Sequence, residues 1–93
     1  MVETTQNMKI IKEQIEYYLG DVNLARDKFF REQIETNKEG WVNIAHFLNC
    51  NKVKQLKITA ADISAACVDS DQVEISTDKL KVRRSENKAL PAA

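Results

Sequence analysis

Gln14 to Phe30 reads QIEYYLGDVNLARDKFF, and it holds every Tyr and Phe ring of the chain except Phe47, in two adjacent pairs with a helix break between them. At about 100° per residue, Met8, Ile11, Ile15, Tyr18 and Leu19 fall on one stripe, the core face of an amphipathic helix. Gln14, Tyr17 and Asp21 project from a neighbouring strip, so an amide and a ring lie beside the core rather than in it. Gly20 and Asp21 end that helix, and Asn23 is the expected N-cap of a second. In the second helix Phe30 and Ile34 form a core-facing i, i+4 pair, while Phe29 points about 100° away. Asp27 precedes Phe30 by one turn. Each pair therefore sends one ring inward and one toward the edge, with Gln, Asn and Asp close by. Two readings stay open: four core rings, or a small stacking pocket.

Working outward, 93 residues suffice for one domain with a modest core and not for two. The longest apolar runs are a few residues, so no membrane span and no signal-peptide core is expected. Cys50 and Cys67 form no CxxC pair and the chain has a single histidine, His46, which argues against zinc and favours reduced thiols. Fourteen Lys and Arg balance fourteen Asp and Glu, giving a formal net charge of zero. A generic polyanion binder, drawing its affinity from neutralised phosphates, is excluded by that balance. Any nucleic acid held here would be held by stacking and hydrogen bonds to a few nucleotides, as in modules that read single strands. Local basicity persists around Lys52, Lys54 and Lys57, and again from Lys79 to Lys88.

Met1 to Asn7 is polar, without periodicity, and reads as a flexible N-terminus with Thr5 or Asn7 able to cap the first helix. The second helix runs to about Thr36, a turn follows through Gly40, and Trp41 to Ile44 reads as one short strand with Trp41 in the core. Ile44 to Leu48 returns to helical spacing. Asn51 is positioned to cap another short helix with Val53 and Leu56 inward. Thr59 and Asp62 form a capping box opening a helix to about Asp69, with Ile63, Ala66 and Cys67 on its apolar side. Gln72 to Thr77 and Leu80 to Arg84 alternate as a hairpin, Val73 and Ile75 facing Leu80 and Val82. Ser85 to Ala93 reads as a linker or an ordered tail. Helices, one short strand, another helix and a closing hairpin make an α+β winged-helix domain, helix-rich, with inserted helices and a small three-stranded antiparallel sheet.

The QxxYYxGDxNLxxDxF pattern of the opening stretch resembles the signature of the La motif, the RNA-binding module of La and La-related proteins. The similarity continues through Gly40 to Val42 (GWV), Glu74 to Ser76 (EIS) and Lys79 to Pro91 (KLKVRRSENKALP), covering Ile10 to Pro91. The basic tail ending in Leu-Pro is more similar to genuine La proteins than to the wider La-related set. The resemblance places the domain at residues 8–85 and makes 86–93 the start of a linker to a downstream RNA-recognition-motif domain. It implies a monomer with no cofactor, no metal and no membrane partner, resident in the nucleus, that binds single-stranded RNA ending in uridylates with a free 3′ hydroxyl.

Carried over by position, the resemblance implies that Asp27 accepts hydrogen bonds from the 2′ and 3′ hydroxyls of the terminal ribose. An ionised carboxylate is acceptor-only and would repel a 3′ phosphate; the plain alternative is an acid favourably placed near a helix N-terminus. Tyr17 and Phe29 match rings that stack on or wall in the last bases, and Tyr18 a ring or hydroxyl contact. Gln14 matches an amide reading a uracil edge. Asn23 and Asn51 match polar contacts, for which helix capping competes. Cys50 departs from the pattern, standing where many La proteins carry phenylalanine once an extra residue is allowed in the Thr36 to Glu39 turn. A thiol lacks a ring's stacking area, so that wall should be weaker unless Phe47, one turn away, completes it. Two other classes remain: a winged helix on duplex DNA, and an interaction module with another RNA or protein ligand. No nucleophile partners His46, two glycines make no phosphate loop, and Asp27 has no second carboxylate at acid-base spacing, so no catalytic residue is expected.

Overall fold

In the computed structural model, residues 2–36 and 38–91 are described. The chain opens with helix α1, Val2–Tyr18. The start expected at Met8 is therefore corrected: Thr5 and Asn7 lie within the helix instead of capping it. Ile11, Ile15 and Leu19 are buried as their spacing predicts, and the face they occupy packs on α6, Ala60–Cys67. Gly20 ends α1 and caps the four-residue α2, Asp21–Leu24. A side chain at Gly20 would bring its Cβ to 3.0 Å from the Glu16 carbonyl oxygen, so the turn is closed by a residue that has none.

The second predicted helix is split. Asn23, expected at its N-cap, lies inside α2, and the cap of α3, Lys28–Glu35, is Asp27, whose Oδ1 accepts from the Phe30 amide at 3.1 Å. Phe30 and Ile34 face the core from α3, as their i, i+4 spacing requires.

Gly40, with φ of 75°, turns the chain into β1, Val42–Asn43. Trp41 is half-buried rather than part of the core: its indole Nε1 donates to Glu39 Oε2 at 3.1 Å, and the Arg83 guanidinium lies over its ring at 4.4 Å. Helix α4, Ala45–Leu48, and helix α5, Asn51–Gln55, follow. The α5 cap is Cys50, not Asn51. Thr59 and Asp62 form the expected capping box of α6, which buries Ile63, Ala66 and Cys67.

The sheet is antiparallel in the order β1-β3-β2, with β2 at Val73–Ile75 and β3 at Lys81–Arg84. Val73 pairs with Arg84 and Ile75 with Val82. The inward residues of β3 are thus Val82 and Arg84, and Leu80, expected inward, is 57% exposed. The hairpin loop is longer than the turn predicted at Asp78 and Lys79: Asp78 Oδ1 accepts from both Ser76 Oγ and the Leu80 amide, which holds Leu80 in the loop.

A 3₁₀ turn at Ser85–Asn87 follows the sheet, Leu90 packs against the core, and Arg31 Nη1 donates to the carbonyls of Leu24 at 2.9 Å and Pro91 at 2.7 Å. This end of the described chain is an ordered tail fastened to α2 and α3. The whole is a helix-rich winged helix with a small three-stranded antiparallel sheet.

Candidate functional site

Tyr17, Tyr18, Asn23 and Asn51, four of the seven residues singled out in the sequence, line one open cleft of about 490 Å³ together with Asn49, Cys50 and Lys52. One wall comes from the end of α1 and from α2, the other from the junction of α4 and α5.

The wall at α1 owes its shape to a split between neighbours. Tyr18 points partly inward, its ring 5.5 Å from Phe30 and 6.0 Å from Phe47, whereas Tyr17 is 42% exposed and meets Tyr18 edge-on at 5.8 Å. Arg26 Nη2 donates to the Tyr17 hydroxyl at 3.2 Å, tethering the exposed ring to the segment between α2 and α3. Phe30 and Phe47 stack at 4.9 Å beneath them. The aromatic stretch is therefore neither all core nor all pocket: Phe30 and Phe47 support, and the tyrosines form the rim.

Asn23 is buried and donates through Nδ2 to the Tyr18 carbonyl at 2.9 Å and to Asp27 Oδ2 at 3.1 Å. Asp27 thus stands one hydrogen bond behind the cleft. Its other oxygen caps α3, so both the capping reading and a position near the rings hold for the same carboxylate. Asn51 is exposed in the first turn of α5, and the capping duty expected of it falls to Cys50, which makes no side-chain cap bond.

Gln14 and Phe29 do not line this cleft. Gln14 is half-buried on α1. Phe29 is 48% exposed and packs edge-on against Phe30 at 5.3 Å and against the His46 imidazole at 5.2 Å. Phe47, considered as a replacement ring for Cys50, is fully buried and unavailable to the cleft.

Cys50 occupies the wall facing the tyrosines. Its Sγ lies 3.7 Å from the His46 carbonyl, and its thiol interacts with the Tyr18 hydroxyl. Burial pushes the Cys50 thiol up, and the Asp27 charge adds to the shift. Burial also pushes Tyr18 up to about 12, reinforced by Cys50, Tyr17 and Asp27. Both groups are protonated at neutral pH, leaving a cleft of neutral donors, acceptors and rings with Lys52 as the cation on its lining. Such a lining can stack planar bases and hydrogen-bond their edges while drawing little on charge.

Asn49 and Lys52 were not among the singled-out residues. Both flank the short interruption between two four- to five-residue helices, where side chains of consecutive residues fan around one helix end instead of following a single stripe. Both cysteines are free thiols, and Cys67, pushed up to about 12 by burial, is shielded in the core. Among the described residues no group of His, Cys, Asp and Glu is arranged to hold a metal ion, and no helix is long and apolar enough to cross a membrane.

Comparison with known proteins places these features in a family. The family described as "La: La domain" matches residues 11–69. The chain is 43% identical to a La protein homolog of Drosophila melanogaster over 90 residues, covering 95% of this chain and 23% of that protein. It is 40% identical over 99 residues to the Lupus La protein homolog of Rattus norvegicus, covering 98% of this chain and 24% of the relative. The chain thus spans about a quarter of the length of these curated relatives. Among solved structures, a La autoantigen N-terminal domain superposes with a TM-score of 0.85 at 30% identity, covering 92% of this chain and 91% of that one.

Proposed function

This chain belongs to the La domain family, an RNA-binding family, and from that premise we propose that it binds the 3′ end of single-stranded RNA, preferring terminal uridylates with a free 3′ hydroxyl. The observation that carries the reading is the convergence of Tyr17, Tyr18, Asn23 and Asn51 on one cleft, with the Asp27 carboxylate held behind it by Asn23. The tyrosines offer ring faces and edges to bases. Asn51 offers an amide, which carries donors and an acceptor and so complements a uracil edge. Asp27 supplies acceptor oxygens for the two hydroxyls of a terminal ribose, a pair found on RNA and lacking in DNA. In this reading the whole protein protects and helps mature transcripts ending in uridylates, in the nucleus, with a downstream RNA-recognition-motif domain closing over the same strand.

The test is an NMR titration of the domain with short oligouridylates, one series ending in a 3′ hydroxyl and one in a 3′ phosphate. Shifts at Tyr17, Asn23, Asp27 and Asn51 with the hydroxyl series alone are expected. Equal shifts with both would reduce Asp27 to a helix cap and the domain to a loose strand binder. Silence in both would remove RNA-end binding as a property of the isolated domain.

A further inference from the structure

A second cleft, of about 500 Å³, opens beside the first, lined by Gln33 and Thr36 of the α3 end, Lys38, Glu39 and Trp41 of the following turn, Asn43 of β1, His46 of α4 and Lys81 of β3. We propose that this cleft is a second nucleotide subsite, which takes an upstream base and phosphate of the same RNA strand whose end lies against Tyr17 and Tyr18. The proposal rests on the RNA-end reading and extends it.

Two observations bring the two clefts into one path. His46 lines the second cleft, and its carbonyl lies 3.7 Å from Sγ of Cys50, which lines the first. Only the single turn of α4 therefore separates them. Phe29, which the first cleft does not use, stands against the His46 ring at 5.2 Å with nearly half its surface open to solvent. A large ring left half open has forgone part of the free energy of burial. A base passing from one cleft to the other would cover it.

The lining also differs from the first cleft in charge. Lys38 and Lys81 stand against one carboxylate, Glu39, and the Glu39 side chain is already engaged by the Trp41 indole N–H. Arg83 lies over the Trp41 ring at 4.4 Å and is itself paired with Glu74 at 2.7 Å, so the indole is held in a fixed plane at the cleft wall. In a chain of zero net charge, cations beside an indole and an imidazole suit a phosphate with an adjoining base better than an apolar peptide. An acidic peptide would meet the cations but leave the rings and the open Phe29 without planar partners.

Trp41 is the chain's single tryptophan, so its fluorescence reports on this cleft alone. The experiment titrates the domain with a uridylate dinucleotide and with a nonanucleotide, both with free 3′ hydroxyls, following Trp41 emission and, in parallel, NMR shifts at Tyr17 and Asn23. The dinucleotide is expected to move the Tyr17 and Asn23 signals and leave emission unchanged, and the nonanucleotide to move both. Lys81→Ala, at an exposed position of β3, should lower the salt slope for the nonanucleotide by about 0.7, the value of one single-strand phosphate contact, with no effect on the dinucleotide. Unchanged Trp41 emission with the nonanucleotide, while Tyr17 and Asn23 respond, overturns the second subsite and leaves the end reading intact. Silence of both probes overturns the two together, and emission changes produced equally by an acidic peptide of matching charge would assign the cleft to protein.

Discussion

Asp27 carries two duties, and a substitution can separate them. Its Oδ1 caps α3 through the Phe30 amide and its Oδ2 accepts from Asn23, so Asp27→Ala should cost about 1 kcal/mol of stability in urea unfolding. Asn is as good an N-cap as Asp. Asp27→Asn should therefore keep the cap, give up the bond from Asn23 and lose less stability than Asp27→Ala, yet lose the preference for a 3′ hydroxyl over a 3′ phosphate, because its amide donates where the carboxylate only accepts. Normal folding with full end discrimination would leave Asp27 a cap and nothing more. Cys50 permits a test of opposite sign. It stands in the cleft wall opposite the tyrosines, and the neighbouring Phe47 ring is locked in the core. Cys50→Phe should gain about 1–3 kcal/mol in oligouridylate binding by calorimetry, the worth of one stacked base. A variant that folds and gains nothing would show that the wall is complete with a thiol.

At the scale of elements, β3 is tied to α2 by an ion pair that the alternation of the hairpin concealed. Arg84 is 4% exposed, takes the inward position opposite Val73, and donates to Asp21, which Lys88 also approaches at 3.4 Å. Its Nη1 is buried without a hydrogen-bond partner. Removing the acid leaves a buried cation without its counter-charge, whereas an apolar chain of similar length in place of the arginine leaves only an exposed carboxylate. Asp21→Asn should thus lower the urea midpoint more than Arg84→Met does; the reverse order would mean that the pair contributes little to the fold. The strongly legible elements were those with a repeating pattern or reciprocal cap: the α1 stripe, the Phe30 and Ile34 pair, the Thr59 and Asp62 box, and the inward places of Val73 and Val82. What the pattern misplaced lies at short elements, where a helix of four residues shows no period. Asn23 went inside α2 for that reason, and Leu80 left the core because the hairpin loop was longer than its turn residues suggested. The cleft was legible in the alternating fates of Tyr17 and Tyr18. Its second wall was read through the resemblance alone, at Cys50 and Asn51, and Asn49 and Lys52 join it only through the junction of α4 with α5.

The whole molecule is compact, with a radius of gyration of 12.5 Å, close to the roughly 12 Å expected for its length. Its ionic contacts set the acid limit of that compactness. Hydrogen bonds from Arg84 hold the Asp21 carboxyl below its usual range, those from Arg83 do so for Glu74, and that from Ser76 for Asp78. A carboxyl lowered in the folded state contributes stability that is complete above its unfolded pKa and is lost as pH falls through the folded value. The urea midpoint should therefore be flat near neutrality and decline below about pH 4. Asp21→Asn combined with Glu74→Gln should flatten that decline, and an unchanged acid limb would place the acid sensitivity in other carboxyls. The same balance of charge governs ligand choice. With zero net charge and one lysine on the lining of the first cleft, few phosphates can be neutralised, and a single strand loses affinity with salt in proportion to that number. Two phosphates, one near Lys52 and one near Lys81, correspond to about a sevenfold loss between 50 and 200 mM salt. A winged helix reading duplex DNA through its lysines would lose far more over the same range and would prefer the duplex. Fluorescence anisotropy with a labelled oligouridylate, a duplex DNA and three salt concentrations separates these cases. A steep slope with equal or stronger duplex binding would transfer the site from the tyrosine cleft to the lysine surface of α5, because rings and amides bind nearly independently of salt while ammonium groups cannot.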